Sequence, residues 1–182
     1  MWKKPSVCFP TEASGPVKTE QNPWFAVRTR ARAEKVASAQ IRGQGIEEFL
    51  PLYQAKRRWF DRFKTVSFPL FSGYLFCRCE RTALSRVTSL SSVADIVGFG
   101  GEKATVPDCQ VQAIRQLGES GMQAAPFPYL REGALVRVRR GPLTGVMGRL
   151  VKVKKSYRLV ISLELLSRSV AVEIPAEIVE PI

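Results

Sequence analysis

Histidine is absent from this 182-residue chain. Histidine is the commonest general base in enzymes and a common zinc ligand, so its absence excludes every histidine-dependent enzyme and the usual zinc sites. The remaining residues do not assemble a nucleophile, a base or a metal-ligand cluster by spacing. The sequence therefore predicts a protein that is not an enzyme and that uses no metal and no cofactor.

Cysteine is scarce, with four residues at Cys8, Cys77, Cys79 and Cys109. A C-x-C pair lacks the paired C-x-x-C spacing of a structural zinc site. We expect the four to be buried free thiols in a reducing cytoplasm.

Long hydrophobic runs are missing as well. Nothing reaches the roughly 18 continuous apolar residues of a membrane span. Prolines interrupt residues 1–23, which contain no apolar core of a signal peptide. We expect a cytoplasmic protein with no membrane partner and with a disordered tail at residues 1–23.

Positive charge is in excess, with 28 Lys and Arg against 16 Asp and Glu, which gives a formal charge of +12. The basic residues occur in both halves of the chain. Such an excess is typical of proteins that bind a polyanion or an acidic protein surface.

Residues 24–117 alternate between strand-like and helix-like patterns. Apolar alternation predicts strands at 24–30, 46–50, 74–79 and 93–99. Helical spacing predicts helices at 34–44, 82–90 and 106–117, the last with Val111, Ile114 and Leu117 on one face. These elements predict an α+β domain with an antiparallel sheet flanked by helices.

The strand at 74–79 is apolar on both faces. Alternation places Leu75, Cys77 and Cys79 on one face, and Tyr74, Phe76 and Arg78 on the other. Helices of the same domain could cover the second face, as in an ordinary strand that is buried on both sides. The alternative is that another protein covers it. Pro69 and Gly73 bracket Phe71, which a turn at this point could hold out from the sheet.

Residues 52–67 predict a hairpin with a basic and aromatic tip near residues 60–62. Basic side chains bind phosphates and aromatic rings stack on bases, so the hairpin tip is a candidate site for single-stranded nucleic acid. The alternatives are a solvated loop and aromatic rings that lie under the sheet. The candidate binding residues are Arg57, Arg58, Trp59 and Lys64.

The pattern changes at residues 118–129, where glycine, proline, alanine and serine dominate and Pro126 and Pro128 should forbid regular structure. We expect a flexible linker at 120–130. Beyond it, short runs rich in β-branched residues alternate around a glycine-rich turn at 141–145. The β-branched residues favour strands over helices at 131–182.

Two motifs resemble those of a known family. Residues 69–76, Pro-Leu-Phe-Ser-Gly-Tyr-Leu-Phe, are similar to the Pro-x-Phe-Pro-Gly-Tyr-hydrophobic signature of the N-terminal (NGN) domain of NusG-type transcription elongation factors. Residues 136–150 resemble the KOW motif of small SH3-like barrels. The resemblance implies an NGN-like domain at 24–119, a linker at 120–130 and a KOW domain at 131–182. Residues 69–76 and 97–100 are more similar to specialised RfaH- or UpxY-like paralogues than to the housekeeping factor.

The resemblance implies a monomeric elongation and antitermination factor that binds RNA polymerase across its cleft and suppresses pausing. The residues that would contact the β′ clamp helices are Trp24, Phe71, Tyr74 and Phe76. Those that would contact non-template DNA are Arg28, Arg30, Arg32 and Lys35. Leu166 and Arg168 would contact either a small-subunit ribosomal protein or the Rho factor. The alternative function is that of a KOW-type RNA-binding or ribosome-associated protein.

Overall fold

The structure, a computed structural model, describes residues 22–59, 62–127, 133–153 and 156–182. Its helices in these ranges are α1 (Glu34–Gly43), α2 (Leu84–Thr88) and α3 (Asp108–Glu119). Its strands are β1 (Trp24–Thr29), β2 (Glu47–Phe49), β3 (Leu52–Trp59), β4 (Arg62–Pro69), β5 (Tyr74–Arg78), β6 (Val93–Ile96), β7 (Gly98–Phe99), β8 (Glu102–Lys103), β9 (Thr105–Val106), β10 (Ala125–Phe127), β11 (Ala134–Val138), β12 (Met147–Val153), β13 (Ser156–Leu163), β14 (Arg168–Glu173) and β15 (Val179–Pro181).

The N-terminal sheet is antiparallel in the order β2-β5-β1-β6, with β9 also paired to β1. The two central strands, β1 and β5, bury side chains on both faces, as alternation along β5 predicts. On one face, residues of the sheet form a core with side chains of α1 and α2. The members from the sheet are Phe25, Val27, Leu75, Cys77, Val93 and Ile96.

The second face of this sheet is covered mainly by α3. Val111, Ile114 and Leu117 share one side of α3 and join a core that includes Trp24 and Phe76. The amphipathic helix that helical spacing predicts at 106–117 is thus confirmed. The second face of β5 could have been covered by a helix of the same domain or by another protein. In the structure, α3 of the same domain covers most of this face.

Two hairpins extend from this domain. β3 and β4 form a two-stranded ribbon that pairs from Leu52 opposite Pro69 to Trp59 opposite Arg62. Its turn, at residues 60–61, lies outside the described residues. β7 and β8 form a much shorter hairpin directly after β6.

The C-terminal region is an all-antiparallel sheet in the order β10-β14-β13-β12-β11-β15. The all-β character that the β-branched residues predict is confirmed. The expectation of no regular structure around Pro126 is wrong, because β10 lies within the predicted linker and pairs Pro126 with Val170. A proline is compatible with this position because β10 is an edge strand, where a missing N–H breaks no ladder.

The two parts of the chain are in contact through α3. The side chain of Gln116 donates from Nε2 to the carbonyl oxygens of Pro142 (3.1 Å) and Thr144 (3.2 Å). Beside these bonds, a cavity of about 430 Å³ separates the outer side of α3 from the C-terminal sheet. We call this cavity the interdomain cleft; its lining includes Cys109, Ala113, Gln116, Leu135, Met147, Val160 and Ile182.

The cysteines differ in their surroundings. Cys77 and Cys79 are buried free thiols, as expected. Their hydrogen bond to each other, together with burial, raises the pKa of Cys77, and the same bond lowers the pKa of Cys79. The expectation is wrong for Cys109, which is exposed in the first turn of α3 and disulfide-bonded. None of the described helices is long and apolar enough to cross a membrane.

Candidate functional site

The turn before β5 is fixed by hydrogen bonds to its glycine. Gly73 adopts a φ of +82°, which favours glycine because it lacks a Cβ. Its N–H donates to Glu34 Oε1 at 2.8 Å, and its carbonyl accepts from the Thr29 N–H at 2.9 Å. The Tyr74 N–H closes the turn on the Phe71 carbonyl at 3.0 Å. These bonds set where the aromatic residues of the motif lie.

Phe71 and Phe76 belong to the core rather than to the surface. Phe71 is 2% exposed and packs edge-on against Phe76, which is 0% exposed. Phe76 also stacks on Phe49 with ring centroids 6.2 Å apart. The prediction that these two residues contact another protein is wrong for this structure, because the turn folds Phe71 inward and α3 packs over the Phe76 face.

Trp24 is likewise enclosed, with 1% of its surface exposed. Its indole Nε1 donates to Asp108 Oδ1 at 3.0 Å, at the start of α3. The guanidinium groups of Arg78 and Arg115 lie 5.5 Å and 5.7 Å from its ring. Its predicted role as a docking residue is therefore also wrong, because Trp24 anchors α3 to the sheet.

The end of the sheet beyond α3 stays accessible. Across the strands, Tyr74 of β5 pairs with Arg28 of β1, and Arg28 pairs with Asp95 of β6. Tyr74 is half-buried against the core and Arg28 is exposed. We call Tyr74, Arg28 and Asp95 the open row. Of the four predicted docking residues, only Tyr74 retains a surface for a partner.

Asp95 connects the open row to the β7–β8 hairpin. Its Oδ1 accepts a hydrogen bond from Lys103 Nζ at 2.7 Å and another from the Ile96 N–H at 2.7 Å. The Lys103 hydrogen bond, the Ile96 bond and the positive charges of Lys103 and Arg28 hold the pKa of Asp95 below its usual value. Asp95 therefore stays ionised, and the ion pair holds the hairpin beside the row.

Phe99, at the tip of this hairpin, is an exposed aromatic residue that the sequence interpretation did not assign to a site. It is 70% exposed. A Cβ on Gly98 would lie 2.0 Å from the Glu102 carbonyl oxygen, and Gly100 and Gly101 have φ values of +58° and +86°. The tight turn requires these glycines, and it points Phe99 away from the core. An aromatic residue between three glycines is the signal that could have identified it.

Four cations surround the turn from β1 to α1, and we call them the basic corner. All four are exposed, and no ion pair with a described residue neutralises them. Lys35 Nζ donates to the Ser67 carbonyl at 3.0 Å, which brings the corner to the base of the β3–β4 hairpin. The structure therefore brings together the residues predicted to bind DNA: Arg28, Arg30, Arg32 and Lys35.

The hairpin tip is described only in part. The backbone of Arg57 pairs with that of Lys64. The side chains of Arg57, Arg58 and Trp59 lie outside the described part of the structure, so their predicted role stays a prediction. Lys64 and its neighbour Phe63 are exposed.

Of the two residues of the C-terminal sheet that were predicted to bind a partner, one is buried in the core and the other is exposed at the surface. Leu166 is 7% exposed and packs within the core, so its predicted contact with another protein is wrong. A short 3-10 helix, Glu164–Leu166, turns this side chain inward. Arg168, at the start of β14, is exposed.

Within the described residues, no group of three or more Cys, Asp or Glu side chains could hold a metal ion.

Comparisons with known proteins identify relatives of this fold. The family model described as "Transcription termination factor nusG" matches residues 22–115, just over half of the chain. Among solved structures, NusG of Thermotoga maritima, described as "Domain interaction in Thermotoga maritima NusG", is similar with a TM-score of 0.55 and 18% identity, over 90% of this chain and 98% of that one. The MjSpt4:Spt5 complex matches at a TM-score of 0.30 and 16% identity, over 87% and 97%. No curated protein matches by sequence.

Proposed function

Because the chain belongs to the NusG family, we propose that it is a transcription elongation factor that docks onto RNA polymerase through the open row and Phe99. In this proposal the basic corner holds the non-template DNA strand, and the bound factor suppresses pausing. The observation that carries the proposal is an exposed aromatic and basic surface at the end of the sheet that α3 leaves uncovered.

The open row and Phe99 have the composition of a protein-binding surface. Exposed aromatic residues on a rigid support are common binding hot spots, because they bury a large area with little loss of conformational entropy. Tyr74 rests on the core and Phe99 is fixed by its glycine turn, so neither has to become ordered on binding. The clamp helices of the polymerase, which the motif resemblance implies, are the proposed partner.

The basic corner is suited to a nucleic-acid backbone. Arg28 belongs to both the open row and the corner, so docking on polymerase would bring the four cations towards the DNA. Phosphate contacts by lysine and arginine release condensed counterions, which makes affinity depend on salt. The exposed Lys64 and Phe63 on the nearby hairpin extend the same chemistry.

Tyr74→Ala and Phe99→Ala test polymerase docking. We expect each to weaken binding of the purified protein to core RNA polymerase by roughly 10-fold or more, as loss of a hot-spot aromatic residue does. Val36→Ala is the matched control, because Val36 is also an exposed apolar residue but lies on α1. Wild-type affinity in both test variants would contradict the proposal.

The DNA contact is tested by the salt dependence of single-stranded DNA binding. Replacing Arg30 and Arg32 by glutamine should lower the log–log slope of affinity against salt by roughly 0.7 for each lost phosphate contact. Arg42→Gln is the control, because it removes the same charge from α1 at a side chain that is paired with Glu48. A slope that falls equally in the control would assign the effect to net charge alone.

We further propose that the C-terminal sheet recruits a ribosomal protein or Rho, with Arg168 at the contact, and that the factor acts in antitermination as RfaH-like paralogues do. This part rests on the KOW resemblance and on the exposure of Arg168. Pull-down experiments with the full chain and polymerase, ribosomes or Rho distinguish this proposal from the alternative, in which the protein binds ribosomes alone. Retention by ribosomes without polymerase would favour an RNA-binding or ribosome-associated protein.

A further inference from the structure

Cys77 and Cys79 are two free thiols to which the proposed function gives no role. They lie two positions apart at the end of β5, so their side chains share one face of the strand, and both belong to the core under α1 and α2. A hydrogen bond joins them. It raises the pKa of Cys77 and lowers that of Cys79, so the Cys77 thiol is the donor and the Cys79 sulfur is the acceptor.

The two thiols differ in their access to solvent. Cys77 is fully buried, whereas Cys79 lines a surface cavity of about 400 Å³. We call this cavity the thiol pocket; Gly45, Glu80 and Arg86 lie on its other walls. Because Cys79 is itself only 4% exposed, a thiol of another protein cannot reach its sulfur, but a molecule of a few atoms can reach it through the pocket.

The surroundings of Cys79 favour its thiolate. The hydrogen bond from Cys77 and then the positive charge of Arg86 lower the pKa of Cys79, against burial and the charge of Glu80, which raise it. The same hydrogen bond and burial raise the pKa of Cys77. The thiolate is the nucleophile in cysteine chemistry, so Cys79 is the member of the pair that reacts first.

We propose that Cys79 is a site of oxidation by hydrogen peroxide, and that Cys77 is its resolving thiol. A reactive thiol that a small oxidant can reach, with a second thiol in contact with it, is the arrangement of a redox-sensitive cysteine pair. Cys79 follows the last residue of β5, so movement of its side chain towards Cys77 breaks no pair of the β1–β5 ladder. The site lies apart from the open row, Phe99 and the basic corner, and does not depend on the proposed function.

The reaction takes place in two steps. The Cys79 thiolate attacks one oxygen of hydrogen peroxide, the O–O bond breaks, and the hydroxide that leaves takes a proton from solvent. Cys79 is then a sulfenic acid. The Cys77 thiol attacks the Cys79 sulfur, an S–S bond forms, and the sulfenic hydroxyl leaves as water with the Cys77 proton. Two thiols are oxidised to one disulfide, and one hydrogen peroxide is reduced to two waters.

Peptide mapping of the wild-type full chain tests the pairing. The protein is treated with hydrogen peroxide, unfolded in guanidinium chloride that contains iodoacetamide, and digested with trypsin without reduction. Trypsin cleaves after Arg78, between the two cysteines, so a disulfide appears as two peptides that are covalently joined. We expect this joined pair, and we expect it to disappear after dithiothreitol. Alkylation of both cysteines after peroxide treatment, or a bond from Cys79 to a different cysteine, would overturn the proposal.

Cys77→Ser tests the order of the two steps. The serine hydroxyl can still donate a hydrogen bond to Cys79 but cannot form a disulfide, so the sulfenic acid should persist. We expect dimedone, which traps sulfenic acids, to label Cys79 several-fold more in this variant than in the wild type. Labelling of Cys79 that is no greater than in the wild type would show that Cys77 does not resolve the sulfenic acid.

Arg86→Gln tests the role of the thiol pocket. It removes the positive charge beside Cys79, so oxidation of Cys79 by peroxide should be several-fold slower at neutral pH. Arg168→Gln is the matched control, because it removes the same charge from an exposed position on the C-terminal sheet and should react at the wild-type rate. Equal rates in Arg86→Gln and in the control would overturn the activation of Cys79 by its pocket.

Discussion

Tyr74 and Phe76 lie two positions apart on the same face of β5, but α3 covers only the second. Phe76 contacts Phe49 and Phe71 within the core, whereas Tyr74 lies in the open row. The strand pattern indicates that both rings share a face, but it contains no information on how far α3 extends along that face. The sequence could therefore predict the second apolar face but could not predict which rings remain available to a partner.

Replacing Tyr74 and Phe76 separately should distinguish a residue needed for fold stability from a residue available for binding. Phe76→Ala removes a fully buried ring and should lower the free energy of unfolding by about 3–5 kcal/mol, because it leaves a cavity in the core. Tyr74→Ala should lower it by only about 1 kcal/mol, since part of its surface is already in water. Urea denaturation measures both values. Equal losses would show that the Tyr74 ring is as much a core residue as the Phe76 ring.

At the scale of elements, α3 is a helix with two packed sides. Val111, Ile114 and Leu117 repeat at helical spacing, so the side towards the N-terminal sheet was predictable. On the opposite side, Ala113 lines the interdomain cleft and Gln116 bonds to the turn before β12; these residues are small or polar and give no hydrophobic signal. β10 was missed for a related reason, since edge-strand pairing of Pro126 depends on a partner strand more than 40 residues away in the chain.

The β7–β8 hairpin gives a test of how an element presents one side chain. A Cβ at position 98 would clash with the Glu102 backbone, so Gly98→Ala should open the hairpin and release Phe99 from its fixed position. We expect polymerase binding to fall towards that of Phe99→Ala, and the proteolytic sensitivity of the hairpin to rise.

Gly43→Ala is the control for this prediction. Gly43 is in α1 and a Cβ there meets no atom within 4 Å, so alanine should keep or raise stability by roughly 0.5–1 kcal/mol through its better helix propensity. If Gly98→Ala binds polymerase as the wild type does, the rigid presentation of Phe99 is unnecessary for docking.

At the scale of the whole molecule, α3 connects the two sheets because it packs on the N-terminal sheet and bonds to a turn of the C-terminal region. The core residues of the C-terminal sheet and those on the α3-covered face of the N-terminal sheet belong to one continuous cluster, whereas the face under α1 and α2 forms a separate core. The sequence predicts two sheets joined by a flexible linker, and it gives no reason for them to touch. The contact depends on Gln116 reaching two backbone carbonyls of the turn before β12, which no local pattern encodes.

Gln116→Ala should loosen this arrangement. It removes both hydrogen bonds between α3 and the turn, each worth about 1 kcal/mol, without touching either core. We expect a larger radius of gyration by small-angle X-ray scattering in reducing buffer. Gln112→Ala is the control, since Gln112 lines the same cleft but its side chain forms no hydrogen bond to the part of the chain that the structure describes. The same radius in Gln116→Ala and in the wild type would show that apolar contact alone holds the sheets together.

The pairing of β10 with β14 shortens the tether between the sheets. Only residues 120–124 separate the end of α3 from β10, a span of at most ~17 Å. On so short a tether, the local concentration of each sheet near the other is of millimolar order. An outside protein that competes for the α3 side of the C-terminal sheet must therefore either bind far more tightly than α3 does or first detach β10, which would lengthen the tether and lower that local concentration.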